Sequence, residues 1–369
     1  MRKICVVTGT RAEYSLLKRT MLKIKGDLRL QVVATGMHLM EELGSTYRII
    51  EQDGFCIDAK VHMEDTSMAG SIAKGITGLS AAFRDLNPDI VLILGDRIEP
   101  LAAAIAAAYQ RRVIAHIHGG DVSGGLDEYN RHAITKFSHI HMAVSKRSME
   151  RIIRLGERRE HVFNVGSPGL ENTLLEAPSD EFRHKLGIGE GEYILLVQHP
   201  VTTQAADAGR QFQESLAAAR GSGKRIVVIY PNSDEGSSQI LRIIEEAQKR
   251  KEVIAFKNLE VREYLTLMRN AACLLGNSSS GILEAPSYRL PVVNVGNRQD
   301  GREKAINVID AGYGRQEISD AIMKATSRSF RESLKKMKNP YGDGKASDRI
   351  VEILSGIETK GMIEKRITY

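Results

Sequence analysis

The chain has 369 residues, more than one hydrophobic core organises well, so two domains are expected. Its 42% hydrophobic and 27% charged content excludes a disordered chain; the first apolar run is too short for a signal peptide and no later run nears membrane-span length, which predicts a cytoplasmic protein with no membrane partner. A net charge of +6 and a pI near 9.1 do not make a nucleic-acid binder here, because aromatics are only 5%, Trp is absent and the basic residues are scattered among acidic ones, with one local excess at residues 360–369.

In chain order, strands are expected at residues 3–7, 30–34, 90–94, 113–117, 141–143 and 162–165, with helices over 13–24, 71–86, 101–109 and 127–137. Continuous apolar strands, each followed by a helix, predict a parallel sheet covered on both faces. Residues 166–180 contain Pro168 and Pro178 and no clear period, and read as a hinge. The rhythm then restarts with strands at 193–197, 225–230, 253–256, 273–275 and 292–295. The expected fold is α/β: two doubly wound Rossmann-like domains over residues 1–170 and 171–345, with the active site in the interdomain cleft at the carboxyl ends of the strands. A last helix and tail, residues 346–369, are expected to pack back on the first domain.

The informative residues follow the strands. After the first come Gly9, Thr10 and Arg11, an anion site or a plain turn with a solvent-facing Arg. Neither G-x-G-x-x-G nor a Walker A sequence occurs, which speaks against NAD and P-loop binding. Gly95-Asp96-Arg97 follows the 90–94 strand, with Asp96 either a helix cap or an acid facing the cleft. The densest polar stretch is His116-Ile117-His118-Gly119-Gly120-Asp121, then Gly124 to His132, where Asp127 and Arg131, and Glu128 and His132, stand four apart. Exposed helix ion pairs would explain those spacings; so many titratable groups at one strand end point instead to acid–base work.

The second half supplies Gln198-His199-Pro200, then Pro231-Asn232-Ser233-Asp234. Gly276 to Gly281 opens a helix with Ser278 and Ser279 suited to phosphate and Glu284 to a ribose, and Asn297-Arg298-Gln299 closes the set. Cys5, Cys56 and Cys273 have no metal-ligand spacing and read as buried inert thiols.

With these segments in family order (GTRAEYS from Gly9, GDR, HIHGGD, DEYNRHAITK, QHPVTT, PNSDEG, GNSSSGILE, RQDGR and the later YGDG), the chain resembles the UDP-N-acetylglucosamine 2-epimerases, specifically the hydrolysing branch that feeds sialic-acid-type sugar synthesis. The resemblance implies a glycosyltransferase-B-like fold and a UDP-sugar substrate, while the lack of a Cys/His cluster, a Walker A sequence or a dinucleotide fingerprint predicts no cofactor and no metal. The C2 hydrogen is removed as UDP leaves C1, and water adds to the resulting 2-acetamidoglucal. It implies UDP contacts at Arg11, Ser15, His199, Asn232, Ser278, Ser279, Glu284 and Arg298. Arg97 would touch diphosphate or sugar, and His38 would lie near the sugar. Asp96 and Asp127 would be the acid–base carboxylates, with Arg131 orienting Asp127. Non-hydrolysing members carry Glu where this chain has His118, which favours the hydrolysing branch and leaves the role there to His118 or Asp121. A homodimer or homotetramer is implied. The alternatives are a non-hydrolysing epimerase, a glycosyltransferase on the same fold, which would need an acceptor-binding surface, and a non-catalytic nucleotide-sugar binder.

Overall fold

Among the described residues, thirteen strands pair in parallel to form two separate sheets in this computed structural model, which describes residues 1–122, 125–176, 178–232 and 234–368. Gly124 and Ser233, both within motifs named above, lie outside the described residues. The chain divides into two compact units: Met1–Asn172 with Tyr341–Tyr369, and Thr173–Pro340.

In the first unit, β1 (Lys3–Thr8), β2 (Arg29–Thr35), β3 (Ala59–Val61), β4 (Ile90–Leu94), β5 (Val113–Ile117), β6 (Ile140–Ala143) and β7 (Val162–Asn164) lie in the order β3-β2-β1-β4-β5-β6-β7. Ile4 of β1 stands in register with Leu30 on one side and Ile90 on the other. Strands such as β4, buried at all five positions, are apolar throughout because helices cover both faces. The strand order reverses between β1 and β4, so the carboxyl ends of these two strands flank a crevice that no crossover helix fills.

The helix after β1, Arg11–Asp27, begins where the Thr10 hydroxyl accepts from the Glu13 N–H at 3.2 Å, and buries Leu17, Met21 and Ile24. The late helix Ala346–Gly356 belongs to the same unit and packs on it: Thr20 Oγ1 meets Ser347 Oγ at 3.0 Å and Lys23 pairs with Asp348. Buried Glu171 joins the two, accepting from Arg19 Nε at 2.8 Å and from the Ser347 N–H at 2.7 Å.

The second unit repeats the plan with β8 (Tyr193–Val197), β9 (Arg225–Ile229), β10 (Ile254–Phe256), β11 (Cys273–Gly276), β12 (Val292–Val295) and β13 (Val308–Ala311), in the order β10-β9-β8-β11-β12-β13. Its reversal falls between β8 and β11.

Three details differ from expectation. The short strands β3 and β13 carry Lys60 and Asp310 and sit at sheet edges, where one side is not covered and the apolar signal fades. Inside the expected hinge, Pro168–Leu175 is a helix, since Pro at the first helical position gives up no intrahelical hydrogen bond. Cys5 and Cys273 are buried, but Cys56 is exposed. Among the described residues, no helix is long and apolar enough to cross a membrane.

Candidate active site

At the end of β4, Asp96 does not cap the following helix, whose N-cap is Arg97 with no side-chain bond. Asp96 is instead ion-paired with Arg131 on the helix Gly125–Phe137, in a pair whose side chains are only 16% and 8% exposed. A second Arg131 nitrogen donates to the His118 carbonyl oxygen at 2.5 Å. Arg131, expected to orient Asp127, thus holds together the ends of β4 and β5. Asp127 stands exposed one turn earlier on the same helix.

His118 has φ +71, in the left-handed region that side chains with a Cβ rarely occupy. Its Nδ1 lies 3.0 Å from Asp121 Oδ2, and Asp121 Oδ1 accepts from Ser148 Oγ at 2.5 Å. Burial opposes charge on Asp121, but the hydrogen bonds from His118 and Ser148 hold its pKa below the ordinary carboxylate value. An ionised carboxylate only accepts, so Nδ1 carries the hydrogen and a neutral His118 ring keeps its lone pair on Nε2. That Nε2 is buried with no hydrogen-bond partner. His116, two residues earlier, is pushed down to about 3 by burial, stays neutral and donates from Nε2 to the Gly95 carbonyl at 2.7 Å, fixing β5 to the end of β4.

The end of β1 is built on a buried acid pair. The Gly9 N–H donates to Glu13 Oε2 at 2.7 Å, and burial, reinforced by the charge of Glu99, raises Glu13 to about 8. Glu99 lies so close to Gly9 that a Cβ there would collide with it. Arg97 Nε sits 3.3 Å from Glu99 Oε2. His38 is wholly buried with both ring nitrogens engaged, Nε2 by Thr8 Oγ1 at 3.1 Å and Nδ1 by Thr46 Oγ1 at 2.8 Å; burial lowers it to about 4. Arg11 and Ser15 are exposed on the first two turns of the helix, Ser15 Oγ donating back to Ala12 O at 2.7 Å.

In the second unit Gly276, φ +127, approaches the Val197 carbonyl so closely that no side chain fits. Asn277 then clasps His199 on both sides, accepting from its N–H at 2.7 Å and donating to its carbonyl at 2.8 Å. Burial and the Arg298 charge lower His199 to about 4. Its Nδ1 accepts from the Asn232 N–H at 3.0 Å, so the neutral ring presents Nε2–H. Arg298 and Gln299 donate to the Asn277 carbonyl at 3.3 and 2.8 Å. Ser278 Oγ meets Ser280 Oγ at 2.9 Å, and Ser280 meets the Tyr264 hydroxyl at 2.5 Å. The helix expected here is a single turn, Ser280–Leu283, with Ser279 as N-cap, so it contributes little dipole; the hydroxyl chain is the more substantial feature. Glu284 caps that turn with Oε2 buried and unpartnered, and burial raises it to about 7.

Sequence reading passed over Tyr264, Ser148, Glu13 and Glu99. Only Glu99 had a signal, a carboxylate early in an otherwise alanine-rich helix. Among the described residues no group of three or more His, Cys, Asp or Glu is arranged to hold a metal ion.

The family described as UDP-N-acetylglucosamine 2-epimerase matches residues 20–355. Over 98% of its length the chain is 39% identical to a UDP-N,N'-diacetylbacillosamine 2-epimerase (hydrolyzing) of Legionella pneumophila, covering 98% of that protein. It is 34% identical to a UDP-N-acetylglucosamine 2-epimerase of Neisseria meningitidis, over 97% of this chain and 96% of that one. The solved UDP-GlcNAc 2-epimerase of Methanocaldococcus jannaschii superposes with a TM-score of 0.76 at 18% identity, over 96% of this chain and 99% of its own. The glycosyltransferase-B-like class is therefore the fold class of this chain.

Proposed function

The chain belongs to the UDP-N-acetylglucosamine 2-epimerase family, and from that premise we propose that it is a hydrolysing member, converting a UDP-2-acetamido sugar to UDP and the free 2-epimer for sialic-acid-type sugar synthesis. The observation that carries this reading is His118, held in a strained backbone conformation with Nδ1–H on Asp121 and the Nε2 lone pair buried and unused. A base supported in this way suits the activation of water, the step a non-hydrolysing epimerase lacks.

In the first half-reaction a carboxylate takes the C2 proton, the C1–O bond breaks, and its electron pair leaves with UDP as the C1–C2 double bond forms. Water then adds: its hydroxyl goes to C1, and a proton returns to C2 from the opposite face. Asp127 and Asp96 are the proton-transfer carboxylates, and His118 takes the proton of water while Asp121 stabilises the resulting imidazolium. Arg131 keeps Asp96 and the His118 backbone in place. Arg298, Ser278, Ser279, His199, Asn232, Arg11 and Ser15 stabilise the departing nucleotide, Glu284 accepts from its ribose, Arg97 contacts diphosphate or sugar, and His38 braces Gly9 near the sugar.

The reaction is tested by incubating the protein in D₂O with UDP-N-acetylglucosamine and with its 2,4-diacetamido-trideoxy counterpart. The expected products are UDP and a free 2-epimer carrying deuterium at C2, and the better substrate fixes the sugar. An intact UDP-linked epimer would overturn the hydrolysing assignment.

A further inference from the structure

One member of the basic run at residues 360–369 turns its charge inward. Lys365 Nζ donates to the carbonyl oxygens of Thr135 at 3.1 Å, Lys136 at 2.7 Å and Ser138 at 2.5 Å, and lies 2.6 Å from Glu157 Oε2. The first two carbonyls belong to the last turn of the helix Gly125–Phe137, the negative end of its dipole, and Ser138 follows directly. Glu157 is 3% exposed and also accepts from Lys136 at 2.7 Å and from His141 Nε2 at 3.1 Å. Burial works against its charge, but these donors hold it at about 2, so it stays ionised. Met362, 8% exposed, lines the same cavity as Glu157 and Lys365. A cation held by four oxygens differs from a surface ion pair, which contributes little. Lys136 ties the helix to Glu157 only through a long side chain; Lys365 binds the main chain of the helix end itself.

We propose that Lys365 is a positioning residue: its ammonium clamps the end of the Gly125–Phe137 helix to Glu157 and so sets where Arg131 meets Asp96 and His118. The link to catalysis rests on the functional reading above. Little more than one turn of helix separates the clamped Thr135 and Lys136 carbonyls from Arg131, and small displacements at a reacting centre are expensive, about tenfold to a hundredfold in rate.

The test is Lys365→Ala in the full chain, which leaves a space lined by oxygens that methylammonium fits and tetramethylammonium does not. The expected result is a fall in kcat of about tenfold to a hundredfold with UDP affinity and KM nearly unchanged. Methylammonium should restore most of the loss in the variant and do nothing to the parent protein; Lys365→Arg should retain activity. Amide hydrogen exchange in the 125–137 segment should accelerate in Lys365→Ala and slow again with methylammonium. If Lys365→Ala does not fold, Lys365→Met carries the same kcat and exchange measurements. Unchanged kcat, unchanged exchange, or a loss that methylammonium does not repair overturns the proposal. The exchange readout needs no turnover, so a parent protein inactive on every UDP-2-acetamido sugar would refute the functional reading while the clamp is judged on exchange alone.

Discussion

The two units use one topology for different electrostatics. At the β1/β4 reversal of the first, and at the neighbouring end of β5, each carboxylate has an ion-pair or hydrogen-bond partner: Asp96 with Arg131, Glu99 with Arg97, and Asp121 with the His118 Nδ1–H. At the β8/β11 reversal of the second, the groups are mostly neutral donors and acceptors: Asn277 around His199, the Ser278–Ser280–Tyr264 chain, and a histidine kept uncharged by burial. Proton transfer needs groups that change charge under control of neighbours, whereas recognition of a nucleotide needs fixed dipoles that cost little to reorganise. The same strand-end geometry serves either purpose, and the side chains decide which.

The largest expected effect tests the first unit. Asp96→Asn and Asp127→Asn should each lower kcat by about 10²–10⁴-fold while UDP affinity, measured by calorimetry, stays near that of the parent. Near-normal turnover in both folded variants would erase the distinction between the units. The second unit should respond the opposite way. Glu284→Ala should weaken UDP binding about ten- to a hundredfold, the worth of one charge-assisted hydrogen bond. Burial places the Glu284 carboxyl at about 7, so it is protonated below that pH and an ionised acceptor above it. UDP affinity should therefore rise as pH increases through 7, and Glu284→Gln should remove that part of the slope; an identical slope in both proteins would exclude Glu284 from the nucleotide. The smallest effect is Tyr264→Phe. Removing the hydroxyl that holds Ser280 should cost about 0.5–1.5 kcal/mol, roughly two- to tenfold in UDP affinity, with kcat unaltered. A larger loss in kcat than in affinity would show that the second unit also shapes the reacting end.

The strands were legible because a doubly covered parallel strand is apolar at nearly every position: 90–94, 113–117, 193–197 and 292–295 match β4, β5, β8 and β12 residue for residue, with His116 and Asn294 the polar exceptions. Edge strands β3 and β13 were not, since half-covered segments of three or four residues tolerate Lys60 and Asp310. Site positions were legible for a related reason. Polar residues within two positions of the end of an apolar strand, such as Asp96 after Leu94 and Asn277 after Gly276, fall at strand ends in any parallel sheet. Their partners were not legible. Helical spacing suggested Arg131 for Asp127, four residues away, yet the guanidinium reaches Asp96, thirty-five positions back.

Periodicity and composition by themselves determined the class of fold, its two-part plan and the loops that carry chemistry, because these depend on local burial and local turns. Tertiary structure alone decided which ionisable groups meet: Arg131 with Asp96, Glu13 beside Glu99, Lys365 on Glu157. Electrostatic pairing depends on separations of a few ångströms between residues far apart in the chain, and one-dimensional spacing does not contain those distances.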